Sequence, residues 1–201
     1  MGTAKSMFFL ALFILLVLFG SCTTTKFKSA WKDTGYKGYI ESVMVVGVAE
    51  RLDIRQFFER EFVRQFKERG VDAIASVDVT PSEKEITEDV ILSAAREQEA
   101  DMILVTHLLS SGGTTSYHLP KHSINFHGYY DWAYAYVHGP SYYTQGSQSV
   151  LLATNLYETK TEKLIWSVTT QTVDVHESKF KIIKSKSKGA IKNLRKNNLL
   201  R

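Results

Sequence analysis

Apolar positions along this chain fall into one dense block near the amino terminus and several shorter ones after it. Met7 to Phe19 is an unbroken apolar run, preceded by Lys5 and followed by the small residues Gly20 and Ser21. A membrane-crossing helix needs ~20 apolar residues to cover ~30 Å of hydrocarbon. The run is too short for that. A positive start, an apolar middle and a small-residue end instead predict a cleavable secretory signal over residues 1–21.

The later blocks alternate between two periods. Ser42–Ala49 (S-V-M-V-V-G-V-A) is nearly continuous and rich in Val, as a strand buried on both faces reads. Ile54, Phe57, Phe58, Phe62 and Phe66 then recur at helical spacing and make one strongly apolar side. Asp53 with Gln56 three residues on predicts the start of that helix, and Gly70 stands where a glycine ends one. Val71–Ser76 predicts a second strand. Pro81 breaks the chain, and a second helix runs to Glu99 from one of two starts. One is a capping box of Thr80, Pro81 and Glu83; the other is Thr87, flanked by Ile86 and Ile91 as a hydrophobic staple. Asp101–Leu109 predicts a third strand, and the order strand–helix–strand–helix–strand argues for helices packed on a sheet.

Ser110–Gly146 breaks this rhythm. Gly112-Gly113 opens a stretch holding Tyr117, Phe126, Tyr129, Tyr130, Trp132, Tyr134, Tyr136, Tyr142 and Tyr143. Ile124–Val137 alternates imperfectly and is expected as a ragged hairpin. So long a connection is uncommon in a compact domain and tends to carry function.

Regular patterning then returns. Val150, Leu152, Thr154 and Leu156 alternate before the polar turn Thr159-Lys160-Thr161-Glu162, and Leu164, Trp166 and Val168 alternate after it. That predicts a hairpin over Ser149–Asp174. Phe180–Leu200 places Ile183, Ala190, Ile191 and Leu194 on one helical side. The expected fold is α/β (α+β): a mixed sheet of about five strands with two or three helices packed mainly on one side. Residues 22–41 read as a tether leading into the domain, with Thr23–Ser29 its polar part. Residues 42–178 read as a single domain containing the insertion 110–146, and 179–201 as a basic terminal helix.

Charge changes the picture in one respect. The formal net charge of +4 conceals a tail, residues 179–201, with nine Lys or Arg and no acid. Residues 22–178 carry 15 basic and 21 acidic residues, so the body is mildly acidic. The basicity is therefore no nucleic-acid signature, and a secreted compartment excludes that partner in any case.

Cysteine usage changes it again. Cys22 is the only cysteine and directly follows the predicted signal, so no internal disulfide can form. The stretch Leu18-Phe19-Gly20-Ser21-Cys22 resembles a bacterial lipobox, which implies that Cys22 is lipidated and becomes the first residue of the mature chain. Each buried CH₂ of such a chain contributes ~0.8 kcal/mol, and more than one acyl group makes anchoring stable. Thr23 follows, not the Asp associated with inner-membrane retention. By that resemblance the expected place is the outer membrane, facing the periplasm.

Taken together, the lipobox, M-V-V-G-V-A, G-V-D-A-I-A-S, E-A-D-M-I-L-V-T and T-N-L-Y-E-T-K-T-E-K-L-I-W-S resemble bacterial lipoproteins whose domain is similar to the amino-terminal domain of TolB and to the CsgG and LpoB lipoproteins. The resemblance covers roughly Ser42–Leu109 and Ser149–Asp174. It implies a mixed sheet with helices on one side and a role in envelope assembly or binding. It offers no catalytic residue. One departure concerns the hairpin turn, where Glu162 precedes Lys163 in place of the glycine of T-G-K.

No catalytic signature stands out from the residues themselves. The chain has no G-x-S-x-G, no H-E-x-x-H and no phosphate-binding glycine loop. No cofactor is expected. His118, His122 and His127 are the candidate metal ligands, yet Pro120 between the first two works against convergence on a helix. His107, in an apolar strand, reads as a satisfied core histidine. Aromatic side chains offer rigid contact faces with a polar tip. The leading expectation is therefore a non-enzymatic envelope lipoprotein that binds a protein or glycan through Tyr117, Tyr129, Tyr130, Trp132, Tyr134, Tyr136, Tyr142 and Tyr143. Packing of those aromatics as a second small core is the competing one. Further alternatives are a metal-binding or hydrolytic periplasmic protein using the loop histidines, and a subunit of an envelope oligomer.

Overall fold

The computed structural model describes residues 26–49, 51–80, 86–111, 125–138, 149–173 and 178–201. Cys22, Tyr117, His118, His122, Tyr142, Tyr143 and the Pro81–Glu83 start of the second helix lie outside them.

The parallel unit of the sheet follows from the three apolar blocks. β2 (Ser42–Val48) pairs in parallel with both β3 (Asp72–Ala75) and β4 (Met102–Ser111), one on each side. Leaving β2 for one neighbour and then crossing it to reach the other reverses the direction of travel. Right-handed crossovers therefore need α1 (Leu52–Lys67) and α2 (Glu88–Glu97) on opposite faces. Side chains alternate to match. Val43, Val45, Met102 and Leu104 pack with α1, whereas Met44, Val46, Ile103 and Val105 pack with α2. Burial on both faces is why β2 and β4 read as continuous apolar runs.

The rest of the sheet is antiparallel. β5 (Ser149–Glu158) pairs with β4, and β6 (Leu164–Val173) closes the predicted hairpin. Its register shifts between Leu156 and Tyr157, where the extra residue Ile165 on β6 forms a bulge that turns Leu164 onto the α2 face with its partner Tyr157, while Leu156 and Trp166 stay on the α1 face. A sixth strand, β1 (Lys26–Lys32), runs along the outer edge of β6, with Lys26 opposite Gln171 and Lys32 opposite Trp166. The order is β1-β6-β5-β4-β2-β3. The tether read over Thr23–Ser29 thus gives way to strand at Lys26. Residues 27–30 are exposed on this edge, so the strand needed little apolar content and left little pattern.

The class expected from sequence holds: a single mixed sheet with packed helices. Among the described residues four α-helices cover it, two to a face. α3 (Phe126–His138) lies with α2, and α4 (Lys179–Lys196) lies with α1. α4 is the predicted amphipathic tail, with Ile183, Ala190, Ile191 and Leu194 buried and Ser178 capping it by accepting from the Lys181 N–H. Among the described residues no helix is long and apolar enough to cross a membrane.

Helix ends follow local chemistry. Arg51, not Asp53, sits at the cap position of α1. Asp53 falls in the first turn, where a carboxylate meets the positive end of the helix and pairs with Arg51 at 2.6 Å. Gly70, at φ +75°, closes the far end as predicted: its N–H returns to the Lys67 carbonyl, and the Val71 N–H returns to Phe66. Thr87 stands at the cap of α2, with Ile86 and Ile91 buried in the same core as the staple requires.

Candidate functional site

The Tyr-rich segment is the one part of the domain where sequence promised more than scaffold. Its described portion is a helix, not a ragged hairpin. Phe126, Tyr129, Tyr130 and Ala133 recur at i, i+3, i+4 and i+7, and all four are buried against β4 and β5. Asn125 caps them, its side-chain oxygen accepting from the Gly128 N–H at 3.2 Å. The alternation that suggested a hairpin came from the strand preference of aromatic residues, and packing on the sheet overrode it.

Polar tips of the buried rings are tied down. The Tyr129 hydroxyl and His107 Nδ1 share a 2.9 Å hydrogen bond, and the Tyr130 hydroxyl donates to the Ile86 carbonyl at 2.8 Å. Tyr157 on β5 meets both Phe126 and Tyr129, with ring centres 5.6 and 5.7 Å away, and accepts from Asn155. Burial pushes the phenols of Tyr129, Tyr130 and Tyr157 up, and pushes His107 down to about 3. His107 is therefore a neutral core histidine, as its apolar strand suggested. Its ring also meets Trp132 edge-on at 5.3 Å.

This divides the predicted contact residues. Tyr129 and Tyr130, 3% and 4% exposed, belong to the core and present no face to a partner. Trp132 and Tyr134 are half-buried against the same core. Tyr136 lies within α3, with its side chain outside the described residues. What α3 turns outward is Gly128, Asp131 and Ala135, bordered by His127, Trp132 and Tyr134.

Charge gathers beside that outward strip. His127 Nδ1 is 3.2 Å from Glu88 on α2, and its Nε2 is 3.3 Å from Glu162 in the β5–β6 turn. A hydrogen bond between Asp131 and Glu88 holds the Glu88 carboxyl below its ordinary range and raises that of Asp131. Arg96 approaches Glu162 at 3.2 Å, and the Phe126 N–H donates to the Glu162 carbonyl. The cluster thus joins α2, α3 and the turn. His127 here lies between the carboxylates of Glu88 and Glu162. Among the described residues no group of three or more His, Cys, Asp or Glu is arranged to hold a metal ion.

Two other places deserve comparison. Ser76 Oγ donates to Glu59 Oε1 at 2.8 Å, which superficially resembles a hydroxyl with its base. Both residues are fully buried, and Glu59 also accepts from Arg55 and the Gly47 and Val77 N–H groups. The group is a clasp joining β2, α1 and the short 3-10 turn Ser76–Asp78 that follows β3, closed to any substrate. Sequence reasoning missed it, although Glu59 shares the apolar side of α1 with Phe62 and Phe66, which is the signal of a buried acid. A shallow groove of about 310 Å³ lies along α2, lined by Val79, Asp89, Val90, Ser93, Ala94 and Glu97, with no activated nucleophile in it.

Among the described residues these features define an α+β fold, one mixed sheet with helices on both faces and polar groups gathered beside an aromatic core. No protein-family model and no curated protein matches the chain. Among solved structures it is similar to the PelC dodecamer from Paraburkholderia phytofirmans, at 15% identity over 81% of this chain and 89% of that one, with a TM-score of 0.44. It is also similar to lipoprotein GNA1162 from Neisseria meningitidis, at 12% identity over 77% and 98% of the two chains, with a TM-score of 0.43.

Proposed function

We propose that this chain is a cell-envelope lipoprotein, held in the membrane by acyl groups on Cys22, whose domain is a non-enzymatic binding module. The observation that carries the reading is the short join between lipid site and fold. Only Thr23, Thr24 and Thr25 separate Cys22 from Lys26, where β1 already pairs with β6. An acyl group at that cysteine holds the sheet edge close to the bilayer. Thr23 supports the periplasmic leaflet of an outer membrane.

The partner, a protein or a glycan, meets the outward strip of α3 and the aromatic segments that flank it. Deleting residues 112–146 would not test this cleanly, because it would uncover Ile103, Val105 and Tyr157 by removing Phe126 and Ala133. Asp131→Arg with Ala135→Arg changes the strip and leaves the core beneath it in place, at the loss of the Asp131–Glu88 hydrogen bond. Both residues are exposed, so the domain should stay folded while crosslinked capture of the partner falls; undiminished capture moves the contact elsewhere. The anchor has its own test. Radiolabelled palmitate should enter the intact chain and not Cys22→Ser, and equal labelling of both would sink the lipoprotein reading.

A further inference from the structure

The four helices divide the molecule's charge as sharply as its core. On one face of the sheet, α1 and α4 hold twelve Lys or Arg against three Asp or Glu. On the other, α2 and α3 hold one Arg against four Asp or Glu. Most of the excess lies on α4, which has no acid at all. Lys181, Lys184, Lys188, Lys192 and Arg195 follow one another at steps of three or four and are all exposed, so they form a single outer stripe. Glu61, whose charge reaches Lys184, is already bridged by Arg64 at 2.7 Å. That one carboxylate is shared between two cations, so the stripe keeps most of its charge.

Position adds a second, independent observation. α4 lies over β6, beside the edge that β1 occupies: Lys186 Nζ donates to the carbonyl of Gln171, the β6 residue opposite Lys26, and Lys32 Nζ on β1 donates to the Asn197 carbonyl just past the end of α4. The end of β1 nearest Cys22 therefore enters the domain beside α4. At about 3.5 Å per residue, the four-residue step from Cys22 to Lys26 reaches no further than about 14 Å. Near the start of α4, Phe180 is 43% exposed and leans edge-on against Phe57 at 4.6 Å. A bulky apolar group beside a basic stripe suits the headgroup boundary of a bilayer.

Accordingly we infer that the outer face of α4 rests on the anionic headgroups of the membrane that holds the anchor, turning the acidic α2–α3 layer and the α3 strip away from the bilayer. This rests on the Cys22 anchor proposed above. Screening confines surface charge to about 8 Å at physiological salt, so the stripe alone would bind weakly. The anchor keeps it within that range, and modest attraction then suffices to set orientation. The partner-binding strip consequently faces the periplasm.

The test uses the intact lipidated chain, in which acylation of Cys22 leaves any introduced cysteine as the sole free thiol. A fluorophore is placed at Lys188→Cys or, on the opposite layer, at Glu97→Cys. The protein is reconstituted in phosphatidylcholine vesicles with or without phosphatidylglycerol, each containing a headgroup-linked quencher. Quenching is expected at position 188 and not at 97, only in the anionic vesicles. It should vanish at about 1 M salt, where the screening length is about 3 Å. Lys181→Glu with Lys184→Glu and Lys192→Glu should lower quenching at 188 to the level seen at 97. Equal quenching at the two positions, or no change in the charge-reversed variant, overturns the orientation. Retention on purely neutral vesicles reports the anchor separately. If that retention fails, the lipoprotein reading falls, while salt-sensitive sedimentation with anionic vesicles, compared between wild type and the charge-reversed variant, still decides whether α4 meets headgroups.

Discussion

The Tyr129 hydroxyl lies 2.9 Å from His107 Nδ1, and through this bond the helix over the second face of the sheet is fastened to the central strand beneath it. Both residues are buried, so neither can turn to water when the other is removed. Tyr129→Phe keeps the ring in its place among Phe126, Trp132 and Tyr157 but withdraws the hydroxyl. A buried polar group deprived of its partner costs about 1–3 kcal/mol. Urea unfolding should show a loss of that size with an unchanged dependence on denaturant; an unchanged midpoint would mean the bond contributes nothing net.

The clasp at Glu59 calls for a larger effect. Its carboxylate takes hydrogen bonds from Gly47 on β2, Arg55 on α1, and Ser76 and Val77 in the turn after β3. Removing one partner of a buried ion pair costs about 3–5 kcal/mol, because the charge left behind is uncompensated. Glu59→Ala should accordingly melt far below wild type, whereas Arg60→Ala, whose 3.0 Å pair with Asp78 is solvent-exposed, should shift stability by less than about 1 kcal/mol. Equal losses in thermal melts of the two variants would refute the distinction.

At the β5–β6 turn, Glu162 adopts φ +58°, the backbone region that glycine enters freely and other residues do not. This is the position where the resembled lipoproteins carry glycine, and the chain holds the turn with glutamate instead. Its carboxylate compensates by meeting Arg96 and His127. Glu162→Gly and Glu162→Gln both abolish the charge, and only the glycine relieves the backbone. Left-handed backbone costs a residue with a Cβ roughly 1 kcal/mol, so the glycine variant should be the more stable of the two by that amount in chemical denaturation. Should the glutamine variant equal or exceed it, the strain is absent.

How far the chain announced this structure depends on what each pattern encodes. β2, β4, α1, the hairpin and α4 were readable because each buries side chains at a fixed period that the sequence repeats. β1 was not, since an edge strand draws its stability from backbone pairing with β6 and leaves residues 27–30 exposed. α3 was misread in type although its spacing was present: Phe126, Tyr129, Tyr130 and Ala133 carry the helical period, but Tyr and Trp at intervening positions gave competing alternation. The division of helices between both faces was implicit in β2 lying between β3 and β4, a neighbour order that no residue pattern specifies. The candidate site suffered for the same reason. Tyr129 and Tyr130 looked like contact residues until α3 was seen to cover the sheet, whereas Asp131, Glu88 and Glu162 are brought together only by tertiary structure.

Lys186 supplies a pH-dependent expectation of a different kind. It is 2% exposed on the inner side of α4, its ammonium donating to the Gln171 carbonyl at 2.8 Å, and burial pushes its pKa down to about 8. In the unfolded chain the same group stays near its ordinary value of 10.5. Between those values the unfolded state binds more protons than the folded one, so stability rises with pH across that window. Below it both states are protonated, and the full cost of burying the charge is present. Lys186→Met replaces the stem with an apolar chain of similar length and removes the titration. Urea midpoints measured from pH 7 to pH 10.5 should climb for the wild type above pH 8 relative to the variant. Parallel curves for the two proteins would show that Lys186 reaches water in the folded state and that its amine is not held inside the α4–β6 contact.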